Sequence, residues 1–184
     1  MRHRPLVFLD IETTGGSARS SRVLEIGAIR VENNVIVDRL SQLVHPQEQI
    51  PTFITGLTGI DDAMVADAPE FHHVVDRLNT FLDGALFIAH NVSFDYSFIK
   101  EEYRKLGIAW NMDRMCTVRL SRALFPEERR HNLNFVIERM GYQVANRHRA
   151  YDDAEVLAKF YFDSLEKHGL QLYPLIDRLT TKAR

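Results

Sequence analysis

Three short stretches of the sequence hold side chains whose types and spacing can do chemistry. The first is Asp10 and Glu12, two apart at the end of the apolar run Leu6 to Leu9. In an extended strand, residues i and i+2 leave the same face, about 6.6 Å apart along the backbone. Carboxylates that close repel, so they are either solvated at a strand end or compensated by positive charge. The strand is too apolar for a solvent-facing edge, which favours compensation by a hard divalent cation with oxygen ligands, such as Mg²⁺ or Mn²⁺. The second is Asp95, in His90-Asn91-Val92-Ser93-Phe94-Asp95, where the chain leaves a short strand and starts a helix. Alone, Asp95 is also explained as an acid complementing a helix dipole. The third is His148-Arg149-Ala150-Tyr151-Asp152-Asp153-Ala154, followed by Val156, Leu157 and Phe160 at helical spacing. One of its two aspartates caps the helix, and the pattern assigns Asp152 as the cap and Asp153 as a metal ligand. An imidazole with an ordinary pKa near 6.5 takes a proton from water close to neutral pH, which gives His148 a general-base role. Its other reading is a surface histidine between Arg147 and Arg149. A cluster of acidic ligands around two metal ions suits metal-assisted phosphoester hydrolysis.

The elements that must bring these residues together are legible as an α/β pattern. Residues 6–11 read as a central strand, with Val7, Leu9 and Ile11 on one face and Phe8 and Asp10 on the other. Residues 23–31 and 35–44 are β-rich and joined by Asn33-Asn34, a pair suited to the positive φ of a primed hairpin turn. Helix and strand then alternate: 69–82 helical, 85–89 strand, 93–106 helical, and a weak strand over 110–115. The last third reads as helices over 117–124, 133–140, 152–168 and 172–180. The expectation is a mixed five-stranded sheet, an antiparallel meander followed by parallel strands, flanked by helices. Residues 15–21 and 47–68 are the loosest stretches, and nothing divides residues 1–184 into more than one domain.

Length and composition narrow the function classes. A chain of 184 residues buries a sizeable core unaided, and the single Cys116 excludes both a disulfide framework and a Cys-rich zinc site. The N-terminal Met-Arg-His-Arg and the short run after it carry no export or membrane-insertion signal, so the expected location is cytoplasmic, with no membrane partner. The formal charge of −2 means that any attraction for nucleic acid is local. Arg19/Arg22, Arg129-Arg130-His131 and Arg147-His148-Arg149 are the basic clusters that would guide a strand, or else a solvated surface.

The segments Phe8-Leu9-Asp10-Ile11-Glu12-Thr13-Thr14-Gly15, His90-Asn91-x-x-Phe94-Asp95 and His148-x-Ala150-x-x-Asp153-Ala154 resemble the three motifs of the DEDDh exonuclease family. Leu57-Thr58-Gly59-Ile60, Asp67-Ala68-Pro69, Phe125-Pro126 and His131-x-Leu133 resemble further family features in the family's order. A sister branch carries a tyrosine nearer its last aspartate. Tyr151 does not fit that spacing, because Glu155 stands four residues beyond it and Asp153 only two, whereas His148 stands five before Asp153. The sequence is most similar to the proofreading exonuclease of bacterial replicative polymerases, epsilon-type or polymerase-embedded.

The resemblance implies a ribonuclease H-like fold and a 3′–5′ exonuclease that releases nucleoside 5′-monophosphates with two divalent ions, Mg²⁺ or Mn²⁺. It implies that Asp10 bridges both ions, that Glu12 and Asp153 hold the ion carrying the nucleophilic water, and that Asp95 helps place the other. By the same resemblance Thr13, Thr14, Leu57 and Phe94 form a pocket for the terminal nucleotide, with Leu57 and Phe94 equally readable as core. His90 and Asn91 shape the site around Asp95. The implied substrates are 3′ ends, single-stranded DNA first and RNA second, and the implied partners a DNA polymerase subunit or a sliding clamp. Gln171-Leu172-Tyr173-Pro174-Leu175 faintly resembles a clamp-binding peptide, although Pro174 reads better as a helix start. The shortness of the chain after the last motif favours a free-standing enzyme over a polymerase-tethered one. A noncatalytic nucleic-acid-binding scaffold is the rival from a different class, and the five intact motif residues speak against it.

Overall fold

The computed structural model describes residues 4–183. Met1 to His3, part of the segment read for an export signal, lie outside the described residues.

The first strand, β1 (Leu6–Thr13), is buried on both faces. Val7, Leu9 and Ile11 enter one apolar cluster, and Leu6 and Phe8 enter another. Strand alternation carries Asp10 and Glu12 out on the Leu6/Phe8 side. β2 (Val23–Glu32) and β3 (Val35–Leu43) extend the sheet antiparallel, with Asp10 opposite Gly27 and Glu12 opposite Glu25. Asn33 and Asn34 link them at φ 50° and 63°, the positive-φ pair expected for a primed turn.

Residues 47–68, read as loose, contain two short helices, α1 (Thr52–Thr58) and α2 (Asp62–Val65). Ile50, Ile54, Ile60 and Val65 bury against Leu24 of β2, so tertiary packing supplies what local periodicity did not. α3 (Phe71–Leu82) buries Phe71, Val74, Val75, Leu78, Phe81 and Leu82, the i, i+3, i+4, i+7 face of an amphipathic helix. β4 (Leu86–Ala89) pairs parallel to β1, and α4 (Ser93–Lys105) leaves from its end.

β5 is Arg114–Cys116, parallel to β4, and not 110–115 as the sequence pattern predicted. Trp110 instead joins the rings of Phe87, Tyr96 and Tyr103, at centroid distances of 6.0, 4.8 and 5.3 Å. That aromatic cluster holds residue 110 off the sheet, and pairing starts four residues later. The sheet order is β3-β2-β1-β4-β5, the antiparallel meander followed by parallel strands that the sequence pattern predicted.

The remaining helices are α5 (Thr117–Leu124), α6 (Leu133–Met140), α7 (Ala150–His168) and α8 (Leu172–Leu179). They cover the Leu6/Phe8 face, while α3 and α4 cover the other. Leu172 is buried in α8 and Pro174 lies in its first turn, so the segment compared with a clamp-binding peptide is the start of a packed helix. Among the described residues no helix is long and apolar enough to cross a membrane.

α7 begins two residues before the predicted 152 and lies unusually close to β2. A Cβ on Gly27 would sit 2.0 Å from the Ala150 carbonyl carbon, so only glycine allows the approach. The expectation that Asp152 caps this helix is not met. Arg149 holds the N-cap position, and Asp152 lies inside the first turn, where it accepts a hydrogen bond from Asn146 at 3.2 Å.

Candidate active site

The three motif segments converge because three elements end at one place. β1 delivers Asp10 and Glu12, the β4–α4 junction delivers His90, Asn91, Phe94 and Asp95, and the start of α7 delivers Asp153 with His148 just before it. All of these line a single cavity of about 200 Å³, together with Ile11, Leu133 and Arg147. Ligand atoms of Glu12, His148 and Asp153 lie within 4.8 Å of one another, a set able to hold a metal ion.

The electrostatics of the cluster point the same way. Asp95 and Asp153 are buried, and Asp10 and Glu12 half-buried. Burial pushes the Asp10 carboxyl well above the usual carboxylate range, with Asp95, Asp153 and Glu12 adding repulsion and Arg147 opposing it. Glu12 is pushed up to about 8, first by burial and then by Asp153 and Glu25. Asp95 is pushed up to about 8 by burial, against the backbone amides of Asp95 itself and Ile11. Asp153 is also raised by burial, with Arg147 pulling the other way. Four carboxyl groups that ionise reluctantly without added positive charge are a donor set suited to hard divalent cations.

The surrounding residues hold this cluster in shape. Arg147 pairs with Asp153 and donates to Asn134 at 2.8 and 2.9 Å. Arg149 Nη2 donates to Glu25 Oε1 at 2.6 Å, and the Ala150 N–H donates to Glu25 Oε2 at 2.9 Å. Glu25 is fully buried and directly opposite Glu12, so it fixes the start of α7 against the strand that carries the first two carboxylates. His90 Nδ1 lies 2.9 Å from Thr117 Oγ1, and its Nε2 is buried. Burial draws its pKa down to about 4, so the ring is neutral at physiological pH. Asn91 and His148 have φ of 63° and 60°, a left-handed backbone that costs a non-glycine residue energy and recurs at functional sites.

Of the other candidates from the sequence, Thr13, Thr14 and Leu57 lie apart from the cavity lining. Thr13 and Thr14 are buried, with Thr13 Oγ1 donating to the Gly15 carbonyl at 2.8 Å and Thr14 Oγ1 to Glu48 at 2.5 Å. Leu57 is 50% exposed on α1 and is therefore not core, and Phe53, one turn earlier, is 69% exposed. Phe94 does both jobs offered for it: it lines the cavity and packs against Phe98 at 4.9 Å.

Sequence reasoning missed Glu25 and Gly27, and it met Leu133 only as part of the His131-x-Leu133 segment, not as cavity lining. The exposed Phe53, an aromatic four residues before Leu57 on the same helix face, was a signal left unread. Half of the arginines in the basic clusters are committed within the fold, with Arg22 on Glu102, Arg147 on Asp153 and Arg149 on Glu25.

Comparison with known proteins agrees with this geometry. Residues 7–161 match the model of the RNase T exonuclease family. The chain belongs to that family. It is 40% identical over 161 residues to a PolC-type DNA polymerase III from Caldanaerobacter subterraneus subsp. tengcongensis, a match covering 88% of this chain and 12% of that protein. It is 36% identical over 181 residues to the 3′-5′ exonuclease DinG of Bacillus subtilis, covering 97% of this chain and 19% of that protein. The chain thus spans less than a fifth of the length of these curated relatives. A solved structure of exonuclease X in complex with 5′ overhanging duplex DNA superposes with a TM-score of 0.72 at 26% identity, over 94% of this chain and 98% of that one. The likeness to DEDDh exonucleases of the polymerase III type, and the ribonuclease H-like fold it implied, are borne out.

Proposed function

We propose that this chain is a 3′–5′ exonuclease that hydrolyses terminal phosphodiester bonds of single-stranded DNA and releases nucleoside 5′-monophosphates. The observation that carries the proposal is the convergence of Asp10, Glu12, Asp95, Asp153 and His148 on one open cavity. Asp10, Glu12, Asp95 and Asp153 would hold two divalent ions, Mg²⁺ or Mn²⁺. Such a pair supplies charge stabilisation for the attacking and leaving oxygens of an in-line displacement at phosphorus. Without compensation the four carboxylates repel a phosphate anion, so substrate binding depends on the cations these residues recruit.

His148 supplies a proton acceptor beside the cluster. Its imidazole takes a proton from the attacking water, and its position just outside α7 lets the ring turn without disturbing the helix. Hard divalent ions prefer oxygen, which supports reading His148 as a base and not a ligand, although its nitrogen lies within ligand distance of Glu12 and Asp153. The exposed pair Phe53 and Leu57 offers apolar surface for the terminal base, with Phe94 in the cavity wall; Thr13, Thr14, His90 and Asn91 hold the backbone around it.

The PolC-type and DinG relatives support work on DNA in the cytoplasm in company with a polymerase or another domain. The test is digestion of 5′-labelled single-stranded DNA and RNA with Mg²⁺, Mn²⁺ or EDTA, beside Asp10→Ala. The expected result is a metal-dependent ladder shortening from the 3′ end, faster on DNA and absent in the variant. A folded protein that binds strands and cuts none with any metal overturns the proposal in favour of a scaffold.

A further inference from the structure

One cavity adjoins the catalytic one, and a second continues from it. The first, about 320 Å³, shares Asn91 with the catalytic cavity and is lined by Arg114, Arg119 and Arg122. The second, about 310 Å³, shares Arg114 and Thr181 with the first and adds Lys100 and Lys182. Together they form a trough between α4, β5, α5 and the strand-like pairing of Thr181 with Arg114, where the backbone amides exchange hydrogen bonds at 2.8 and 2.9 Å. Five cations line the trough, and among the described residues no aspartate or glutamate does. In a chain of net charge −2 that segregation is strong.

Among the described residues, Lys182 is the one of these five cations held in an ion pair. The Arg114 guanidinium lies 4.2 Å from the centre of the Tyr96 ring, and Arg119 Nη1 donates to the Leu179 carbonyl at 3.2 Å. Arg119 and Arg122 stand three apart on α5, on one face. Lys182 is shared with Asp113 at 3.0 Å, a carboxylate outside the trough that Arg4 also holds. A cavity of about 200 Å³ has room for the reacting end of a strand and not for its continuation.

We infer that the trough carries the phosphate backbone of the substrate strand upstream of the bond being cut. The inference rests on the exonuclease reading of the neighbouring carboxylate pocket. Binding strength then comes largely from the trough and chemistry from the pocket, and the contact is blind to base sequence.

The test uses Lys100→Gln/Arg119→Gln/Arg122→Gln, three surface changes outside the catalytic cavity. Binding of fluorescein-labelled (dT)12 is read by anisotropy in EDTA across a salt series, and hydrolysis of p-nitrophenyl thymidine 5′-monophosphate, too short to enter the trough, is read with Mn²⁺. The expected result is a Kd for (dT)12 raised on the order of tenfold or more and a log–log salt slope reduced by about 2, roughly 0.7 per lost single-strand phosphate contact. Ester hydrolysis should stay at the wild-type rate. Wild-type (dT)12 affinity and slope in the variant overturn the inference. If neither protein cleaves the ester, the exonuclease reading fails and the anisotropy result still decides the trough. Cys116, the single thiol and part of the trough lining, gives an independent measure. Saturating (dT)12 should slow its alkylation by N-ethylmaleimide, and an unchanged rate counts against the trough.

Discussion

The α carbon of Gly27 faces the backbone of Ala150 so closely that a methyl group there would lie 2.0 Å from the Ala150 carbonyl carbon. Gly27 is also the residue opposite Asp10 in the β1–β2 ladder. The gap between the strand bearing Asp10 and the helix bearing Asp153 is therefore set by a missing side chain. Gly27→Ala should force α7 outward, cost about 1–3 kcal/mol as overpacking does, and lower kcat by separating Asp153 and His148 from Glu12. Gly56→Ala on α1, where nothing lies within 4 Å, should stabilise by about 0.5–1 kcal/mol. Thermal melts and rates of the two variants check both.

Glu25 holds the same junction by charge. It takes Arg149 and the Ala150 N–H in a buried site, so Glu25→Ala leaves a guanidinium and the first amide of α7 unpaired. A fully buried pair that loses one partner costs about 3–5 kcal/mol; Arg149 is one-third exposed, so a loss of about 1–3 kcal/mol is expected. Urea denaturation measures it. Glu25→Gln, which keeps the carbonyl acceptor for Ala150, should recover part of the loss.

Stability without metal should fall with pH above neutrality. Asp10, Glu12 and Asp95 have raised pKa values in the folded protein, so it keeps protons that the unfolded chain has shed, and stability drops as pH rises towards and through about 8. His90, drawn down to about 4, acts oppositely: it stays neutral while the unfolded chain takes a proton, and stability drops as pH falls from about 6.5. Between about 4 and 6.5 the two trends oppose, and above 6.5 the carboxyls act alone. In EDTA the Tm should decline from pH 6.5 to 8.5, reflecting a loss of stability of up to about 1.4 kcal/mol per pH unit for each carboxyl still protonated. Mn²⁺ or Asp10→Asn should flatten the decline. A level profile in EDTA shows that the carboxyls ionise freely.

His148→Ala separates the two roles its position allows. As a base it should cost about 10²–10⁴-fold in kcat and leave Mn²⁺ affinity, measured by calorimetry, within about twofold of wild type. A collapse of Mn²⁺ affinity makes the imidazole a ligand. Asp153→Asn should abolish cleavage and leave the fold intact, since it removes one of the repelling charges.

Much of this molecule is local and therefore readable in one dimension. Asn33-Asn34 declares its hairpin because two positive φ values in succession are chemically restricted, and the face pattern of α3 declares its burial. The motif around Asp10 is legible because carboxylates in an apolar strand need an unusual reason to be there. The loose stretch 47–68 was illegible as helix because α1 and α2 are short and bury against Leu24, a residue far away in sequence. Asp152 carries the residue type of a cap, yet Glu25, 125 residues before Ala150, takes the helix amide instead.

The amino-acid sequence by itself determined the order of elements, the sheet's mixed polarity, and the identity of the acidic and imidazole groups, because residue type and spacing act within a few neighbours. Only the tertiary structure decided how close α7 comes to β1, which arginines are committed to Glu25, Glu102 and Asp153, and where further arginines and lysines gather beside the carboxylate cavity. Charge pairing and close backbone approach depend on distances between residues far apart in the chain, and folding alone sets those distances.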